Sequence, residues 1–388
     1  MNTRIKLLLH IAWLAMAFCI SFSACKVPYE PVVENSEKNL LVVEGYINTG
    51  GGQTTIKLTR TLDVKVPPLP YEEVGATLRI EGQDGSIVTA VTDSKGLATF
   101  ASPLNSTQRY KLLITAKGGK KYATAFLENK QTPEIGTISY KVDGPGIQLH
   151  VSSEDKNQST RYYAWAFDQT WEIQSPFIST KEDTGTGYID RNPNINITYC
   201  WPTEKSNSIL VGSSEKLSTD RINEFPLTFI DGKSRKLSQM YSINVFQYGL
   251  TKEAYNYLAK MKKNTEQIGS IFDPQPSELT GNIKCLSDPS ESVIGFISCG
   301  LVQEERYFIS SSEIKKINSE WVYRTLCVEG RMLESQWRDS LNRERLLITK
   351  VEPDLPEKSP DPFYYFAKPE CVDCRSLGTN IKPSYWPN

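Results

Sequence analysis

From Leu40 onward, apolar and polar residues alternate in short runs cut by turn residues. LLVVEGYI, TTIKLTRT, ATLRIEG, SIVTAVT, LATF, RYKLLITA and KYATAFL follow one another before Asn129, separated by turns such as GQDGS and DSKG. In ATLRIEG, Leu78 and Ile80 share one parity while Thr77 and Arg79 share the other, the period of a strand with one buried face. Short strands at this spacing predict an immunoglobulin-like β-sandwich over residues 40–130, with QTPEIG as the linker.

A second β-sandwich-like domain is predicted over residues 131–388. TISYKVD and GIQLHVSS suit a hairpin across GPG. In RYYAWAFDQTWEIQ, Tyr163, Trp165, Phe167 and Trp171 share one sheet face; a sandwich core explains such a row better than a stacking platform. ITYCW, SILVGS, PLTFID and RKLSQMYSINVFQYGL continue the strand pattern. The period then changes. Ala254, Tyr257, Leu258 and Met261 recur at helical spacing, and Thr251 suits an N-cap, so one amphipathic helix is predicted over 251–264 with its apolar face on a sheet. Lys260, Lys262 and Lys263 favour its C-terminal end and read as a solvated face. IFDPQPSELTG reads as a Pro-ordered loop, and GNIKCLS and ESVIGFISCG as a hairpin around SDPS. Glu304–Ser311 reads as a strand, 331–345 as a short helix, and the tail from Phe363 as irregular and cysteine-stapled. Packing accounts for everything between Met240 and Cys299, which reads as a structural keystone. A partner-contacting loop is placed instead in the long polar stretch around Asp183–Asn196, with Asp183, Tyr188, Asp190 and Arg191 as its contact residues.

Composition narrows the chemistry. The chain has 388 residues, with 44 basic against 45 acidic and no basic stripe, so nucleic acid is not an expected partner. It has two His: His10 lies in the N-terminal leader and His150 in a strand-like run. That excludes multi-His zinc sites from the mature chain, and His150 reads as a strand residue half in solvent. There is no G-x-S-x-G, Walker, G-x-G-x-x-G, H-E-x-x-H or EF-hand motif. No cofactor, metal site or catalytic residue is therefore predicted. Glu72–Glu73 and Glu304–Glu305 are adjacent carboxylates that nothing in the sequence places in a cleft.

The leader reads MNTRIKLLLHIAWLAMAFCISFSAC: Arg4 and Lys6, an apolar stretch from Leu7 to Phe22, and small residues before Cys25. It is an export signal over 1–24 and resembles a bacterial lipobox, with Phe22 where Leu is usual. Cys25 is then the lipidation site and the membrane contact, and residues 25–39 form a Pro-bearing tether. Cys200, Cys285, Cys299, Cys327, Cys371 and Cys374 remain as disulfide candidates, up to three bonds in an oxidising compartment. At least one long-range bond is expected from Cys371 or Cys374 back to the body. CVDC lacks the βαβ context of a redox motif and the second half of a zinc site.

LTKEAYNYLAKMKKNTEQIGSIFDPQPSELTGNI, together with LLVVEGYI, YSINVFQYGLTKEAY, VIGFIS and CVDCRSLGTNIKPSYW, resembles a family of uncharacterised Bacteroidota lipoproteins known as a domain of unknown function. The resemblance implies an outer-membrane lipoprotein, often encoded beside a TonB-dependent transporter, with no catalytic residues to carry over. The function expected is a non-catalytic, lipid-anchored accessory that binds a ligand or docks on such a transporter to assist nutrient uptake. The alternatives are an envelope assembly or adhesion protein without a small ligand, and a cryptic carbohydrate- or peptide-cleaving enzyme with two carboxylates in one cleft.

Overall fold

The computed structural model describes residues 39–61, 71–266, 279–340, 346–352 and 362–387. The leader, Cys25 and the tether up to 38 lie outside the described residues. The protein is mostly β. In the first sandwich, β1 (Leu41–Asn48) pairs antiparallel with β2 (Thr54–Arg60). β3 (Thr77–Gly82) pairs with β4 (Ile87–Val91) in a facing sheet. β5 (Leu97–Phe100) returns to β2, while β6 (Tyr110–Thr115) and β7 (Lys121–Thr124) extend the second sheet beyond β3. Alternate residues meet between the sheets: Leu41, Val43, Ile47, Ile56 and Leu58 from one side, Leu78, Ile80, Leu112, Ile114 and Tyr122 from the other. Each buried aliphatic side chain contributes about 1.5–3 kcal/mol relative to exposure.

The second sandwich begins with the expected hairpin. β8 (Ile135–Asp143) turns into β9 (Gly146–Glu154) through Gly144, whose φ is +52°, and Pro145. β10 (Tyr162–Trp171) belongs to the facing sheet, and β11 (Arg221–Asp231) pairs with β9. β12 (Met240–Leu250) pairs with β10 along its full length. Tyr163, Trp165, Phe167 and Trp171 are buried in the core between these sheets, not displayed as a platform. Trp165 stacks on Phe225 with ring centroids 4.3 Å apart, and its Nε1 donates to Gln247 Oε1 at 2.9 Å, which satisfies the polar end of a buried indole. Helix α1 (Lys252–Glu266) follows, capped by Thr251 Oγ1 accepting from the Ala254 amide at 3.2 Å. Its Ala254 and Tyr257 are buried, but Leu258 and Met261 are only half-covered. Residues 267–278, most of IFDPQPSELTG, lie outside the described residues.

The chain then returns to the first sandwich. β13 (Ile283–Cys285) adds to β7, with Ile283 opposite Thr124. β14 (Val293–Ile294) and β15 (Ser298–Gly300) run parallel to β1, with Leu41 opposite Val293 and Ile47 opposite Cys299. The hairpin expected around SDPS does not form, because its two halves join opposite sheets. Ile283, Cys285, Val293, Ile297 and Cys299 thereby enter the first core. The first sandwich is thus completed by residues far beyond 130. Asn282 holds the crossing together: its amide donates to Ile297 O at 2.7 Å and accepts from Ile297 N at 2.9 Å, acting as a one-residue strand partner. Gly295, at φ +134°, passes so close to β1 that a Cβ would lie 2.1 Å from Val43 O.

β16 (Val302–Ser310) carries the chain back to pair with β12. It ends in helix α2 (Ser311–Ile317), closed by a capping box between Ser310 and Glu313. The predicted 331–345 helix is shorter. Residues Gly330–Leu333 form β17 and only Glu334–Asp339 form helix α3, with 341–345 outside the described residues. β17, β18 (Leu347–Glu352) and β19 (Phe363–Ala367) make a small third sheet, with Trp337 of α3 stacked on Tyr364 at 5.9 Å. Two disulfides pin the tail, Cys200–Cys374 and Cys327–Cys371. Cys285 and Cys299 correct the six-cysteine expectation by remaining buried thiols. They sit on opposite sheets of the first sandwich and both point into its core. Among the described residues no helix is long and apolar enough to cross a membrane.

Candidate functional site

The stretch expected to contact a partner begins as a β-hairpin whose second strand, Tyr188–Asp190, is exposed. Lys181–Asp183 pairs with Tyr188–Asp190. Lys181 forms an ion pair with Asp190 at 2.5 Å and lies over the Tyr188 ring. Tyr188 meets Tyr364 edge-on at 5.6 Å, and Asp183 accepts from Trp337 Nε1 at 3.3 Å. Arg191 donates to Ser179 Oγ at 3.1 Å and to Lys181 O at 3.3 Å. Asp183 and Tyr188 tie the hairpin to the third sheet and its helix, while Asp190 and Arg191 close the hairpin on itself. Polarity suggested a loop because a hydrogen bond and an aromatic contact to residues 154 or more positions away are invisible locally. Asp183 and Arg191 also border a polar pocket of 450 Å³, with Asp373 and Arg375 on its other side. Asp373 and Arg375 pair with each other, which keeps the Asp373 carboxyl below its ordinary range against the opposing effect of burial.

The other sequence candidates fall apart spatially. Glu73 pairs with Arg60 at 2.6 Å, while Glu72 is exposed on the strand Tyr71–Glu72. Glu304 and Glu305 are successive strand residues and point to opposite faces. His150 lies in β9 opposite Pro226, half-buried, with its Nδ1 unpartnered. Among the described residues, no group of three or more His, Cys, Asp or Glu is placed to hold a metal.

A cleft of 800 Å³ opens where the two sandwiches meet. On β12 the core takes Tyr241, Ile243, Val245 and Gln247, so Phe246 and Tyr248 face outward. These outward residues form the floor with Ala164 of β10 and Val302 of β16. The opposite wall is the outward parity of β1, namely Val42, Glu44, Tyr46 and Asn48, continued by Ile294, Gly295, Phe296 and Ser298. Leu258 and Met261, the half-covered side of α1, close one end.

The walls are aromatic and held together by few polar contacts. Tyr46 and Tyr248 lie 5.0 Å apart, and Tyr46 Oη donates to Gly249 O at 3.1 Å, bridging the sandwiches. Tyr257 packs on Phe296 at 5.5 Å. Asn48 Oδ1 accepts from the Gly50 amide at 2.8 Å and the Val302 amide at 3.3 Å. Burial raises the pKa of all three tyrosines. Tyr248 is pushed up to about 12 by burial, with Asp168 and Glu304 adding to it. At Tyr257, Glu44 adds to burial while the Gly295 amide opposes it. That amide acts on the Tyr257 hydroxyl without meeting hydrogen-bond geometry, so the buried Oη is unpartnered. Glu44 and Glu304 are exposed at the rim. Such an arrangement can enclose and orient an apolar molecule.

Sequence reasoning passed over this cleft. One signal was available: MYSINVFQYGL is apolar at both parities, and a strand apolar on both sides has both faces covered. The second cover is the cleft's own wall, which comes from β1, some two hundred residues away.

Residues 26–306 match the family described as a domain of unknown function (DUF4249), and the chain belongs to that family. The matched region contains the first sandwich, the cleft and the second sandwich as far as the middle of β16; α2, the third sheet and the stapled tail follow it. No curated protein matches the chain.

Proposed function

We propose that this is a non-catalytic outer-membrane accessory lipoprotein of the Bacteroidota type, anchored through Cys25. It seats a ligand, or a segment of a TonB-dependent transporter, in the cleft between its sandwiches and so assists nutrient uptake. The observation that carries the reading is the cleft itself, a preformed opening with aromatic walls, a mixed polar and apolar lining, and the size ligand sites take. The leader supports the anchor, because a charged start, an apolar stretch and small residues before Cys25 mark a lipidated export signal. Binding is preferred to cleavage because Glu44 and Glu304 are exposed, whereas a general acid is kept protonated at neutral pH by burial.

The test is affinity purification of the native lipoprotein from detergent-solubilised outer membrane, beside an Ala164→Trp variant that fills the cleft floor. Recovery of a TonB-dependent transporter by the wild type and its loss with the variant is the expected result. If the wild type captures no transporter, the docking reading fails. Cys25→Ala should move the protein to the soluble fraction; unchanged membrane fractionation would remove the anchor.

One observation favours the envelope-assembly reading. Leu326 is 100 % exposed and Val328 78 % exposed, on either side of disulfide-bonded Cys327. Rigidly held apolar side chains in water suit a protein contact. A Leu326→Asp, Val328→Asp variant that disturbs envelope architecture while leaving uptake intact would favour that role.

A further inference from the structure

We infer that the cleft between the sandwiches takes an extended polypeptide segment whose apolar side chains enter it and whose basic side chains meet its rim. The inference rests on the binding role proposed above and names the class of ligand.

Two observations lead to it. The first is the repeat of the walls. Glu44, Tyr46 and Asn48 follow one another at every second position of β1, and Phe246 and Tyr248 do so on β12. Same-side residues of a strand recur at about 6.7 Å, the same interval at which an extended peptide presents side chains to one side. Two such ladders facing each other form a slot matched to a third strand-like chain.

The second is charge. Glu44 and Glu304 line the cleft, and no Lys or Arg among the described residues lines it with them. Neither carboxylate takes part in an ion pair or hydrogen bond among the described residues. Their field reaches the tyrosines of the walls: Glu44 raises the Tyr257 pKa and Glu304 raises that of Tyr248. Some carboxylates elsewhere are paired within the fold, as Glu73 is with Arg60 and Glu291 with Lys120. At the rim, Glu44 has Lys57 as its cross-strand neighbour, and Glu304 has no Lys or Arg in an ion pair with it among the described residues. A slot with aromatic walls and these two carboxylates at its rim complements a chain that is apolar on one side and cationic on the other.

The test measures fluorescence anisotropy of a dansylated octapeptide of alternating Leu and Lys with the full chain in detergent. An identical peptide with Glu in place of Lys and the single-chain amine octylamine are run beside it. Saturable binding of the Leu/Lys peptide is expected, weakening with added salt and lost in Ala164→Trp. Glu44→Gln with Glu304→Gln should weaken it about three- to tenfold, the scale of two exposed ion pairs. If the double variant does not fold, Glu304→Gln alone and the salt dependence of the wild type carry the charge test. Equal binding of the Leu/Glu peptide, or no effect of the substitutions, overturns the inference. So does binding of octylamine without the peptide, or the appearance of cleaved peptide masses. If transporter capture remains sensitive to Ala164→Trp while no peptide binds, this inference falls and the accessory role stands. If the peptide binds and capture fails, the transporter reading falls and the slot stands.

Discussion

The Tyr257 hydroxyl is buried in the cleft wall and has no hydrogen-bond partner. A buried polar group without a partner costs about 1–3 kcal/mol. Tyr257→Phe keeps the ring on Phe296 and removes that cost. It should raise stability by about 1 kcal/mol, read as a higher urea midpoint with an unchanged slope; a clear loss of stability would show that the hydroxyl is satisfied. The two thiols of the first core give a second residue-scale expectation. Burial pushes Cys299 up to about 12, and both Cys285 and Cys299 are enclosed. Only the thiolate reacts, so a maleimide should leave both unlabelled in the native protein and label both after denaturation, as counted by intact mass. Native labelling of either would show that the first sandwich opens.

At the scale of elements, turns and crossings depend on single polar side chains. Asp155 begins the connection from β9 to β10. Burial pushes its carboxyl up, but hydrogen bonds from Ser159 Oγ and the amides of Asn157, Ser159 and Thr160 outweigh burial and hold it below the usual carboxylate range. A depressed folded pKa means stability that is complete above the unfolded value, about 3.9, and lost as pH falls through the folded value. Asp155→Asn should cost about 1–3 kcal/mol at pH 7 and flatten the decline in stability below about pH 4. An unchanged acid profile would mean that other carboxylates set it. Asn282 has the same kind of role at the crossing into β15. Removing its amide leaves the Ile297 N–H and C=O without their side-chain partner. Asn282→Ala should cost about 1–3 kcal/mol in denaturant unfolding, whereas Lys284→Ala, exposed on β13, should cost little. The elements themselves were legible where periodicity was long: the β8–β9 hairpin, the β10 aromatic face and the start of α1 lie where pattern and cap signals place them. The β13–β15 segment was misread because a Pro-bearing turn between two apolar runs is the local signature of a hairpin, while parallel pairing to β1 leaves no local trace.

For the whole molecule, the C-terminal tail is a strap over the second sandwich. Cys374 bonds to Cys200 across 174 residues, Trp386 Nε1 donates to Glu172 at 2.9 Å, and Arg306 stacks over Tyr385 at 3.6 Å. Closing so long a loop restricts the unfolded chain, and losing a native disulfide from a secreted domain costs about 2–5 kcal/mol. Cys200→Ser with Cys374→Ser should lower the unfolding free energy by that amount and expose the tail to limited proteolysis. Equal protease resistance would mean that Trp386 and its neighbours hold the strap without the bond.

By itself, the sequence determined the β class, the single long helix with its cap, and the use of Cys371 and Cys374 as anchors for the tail. These follow from alternation, turn residues and capping chemistry, which act over a few positions. The proposed membrane location rests on reading the leader and Cys25 as an export and lipidation signal. Only the tertiary structure decided which cysteines pair, that residues 283–300 complete the first sandwich, and that the polar stretch at 181–190 is a hairpin. It alone brought β1 against β12 to make a cleft. The physical reason is shared: each outcome depends on contacts between residues tens to hundreds of positions apart, and those are set by burial in a common core.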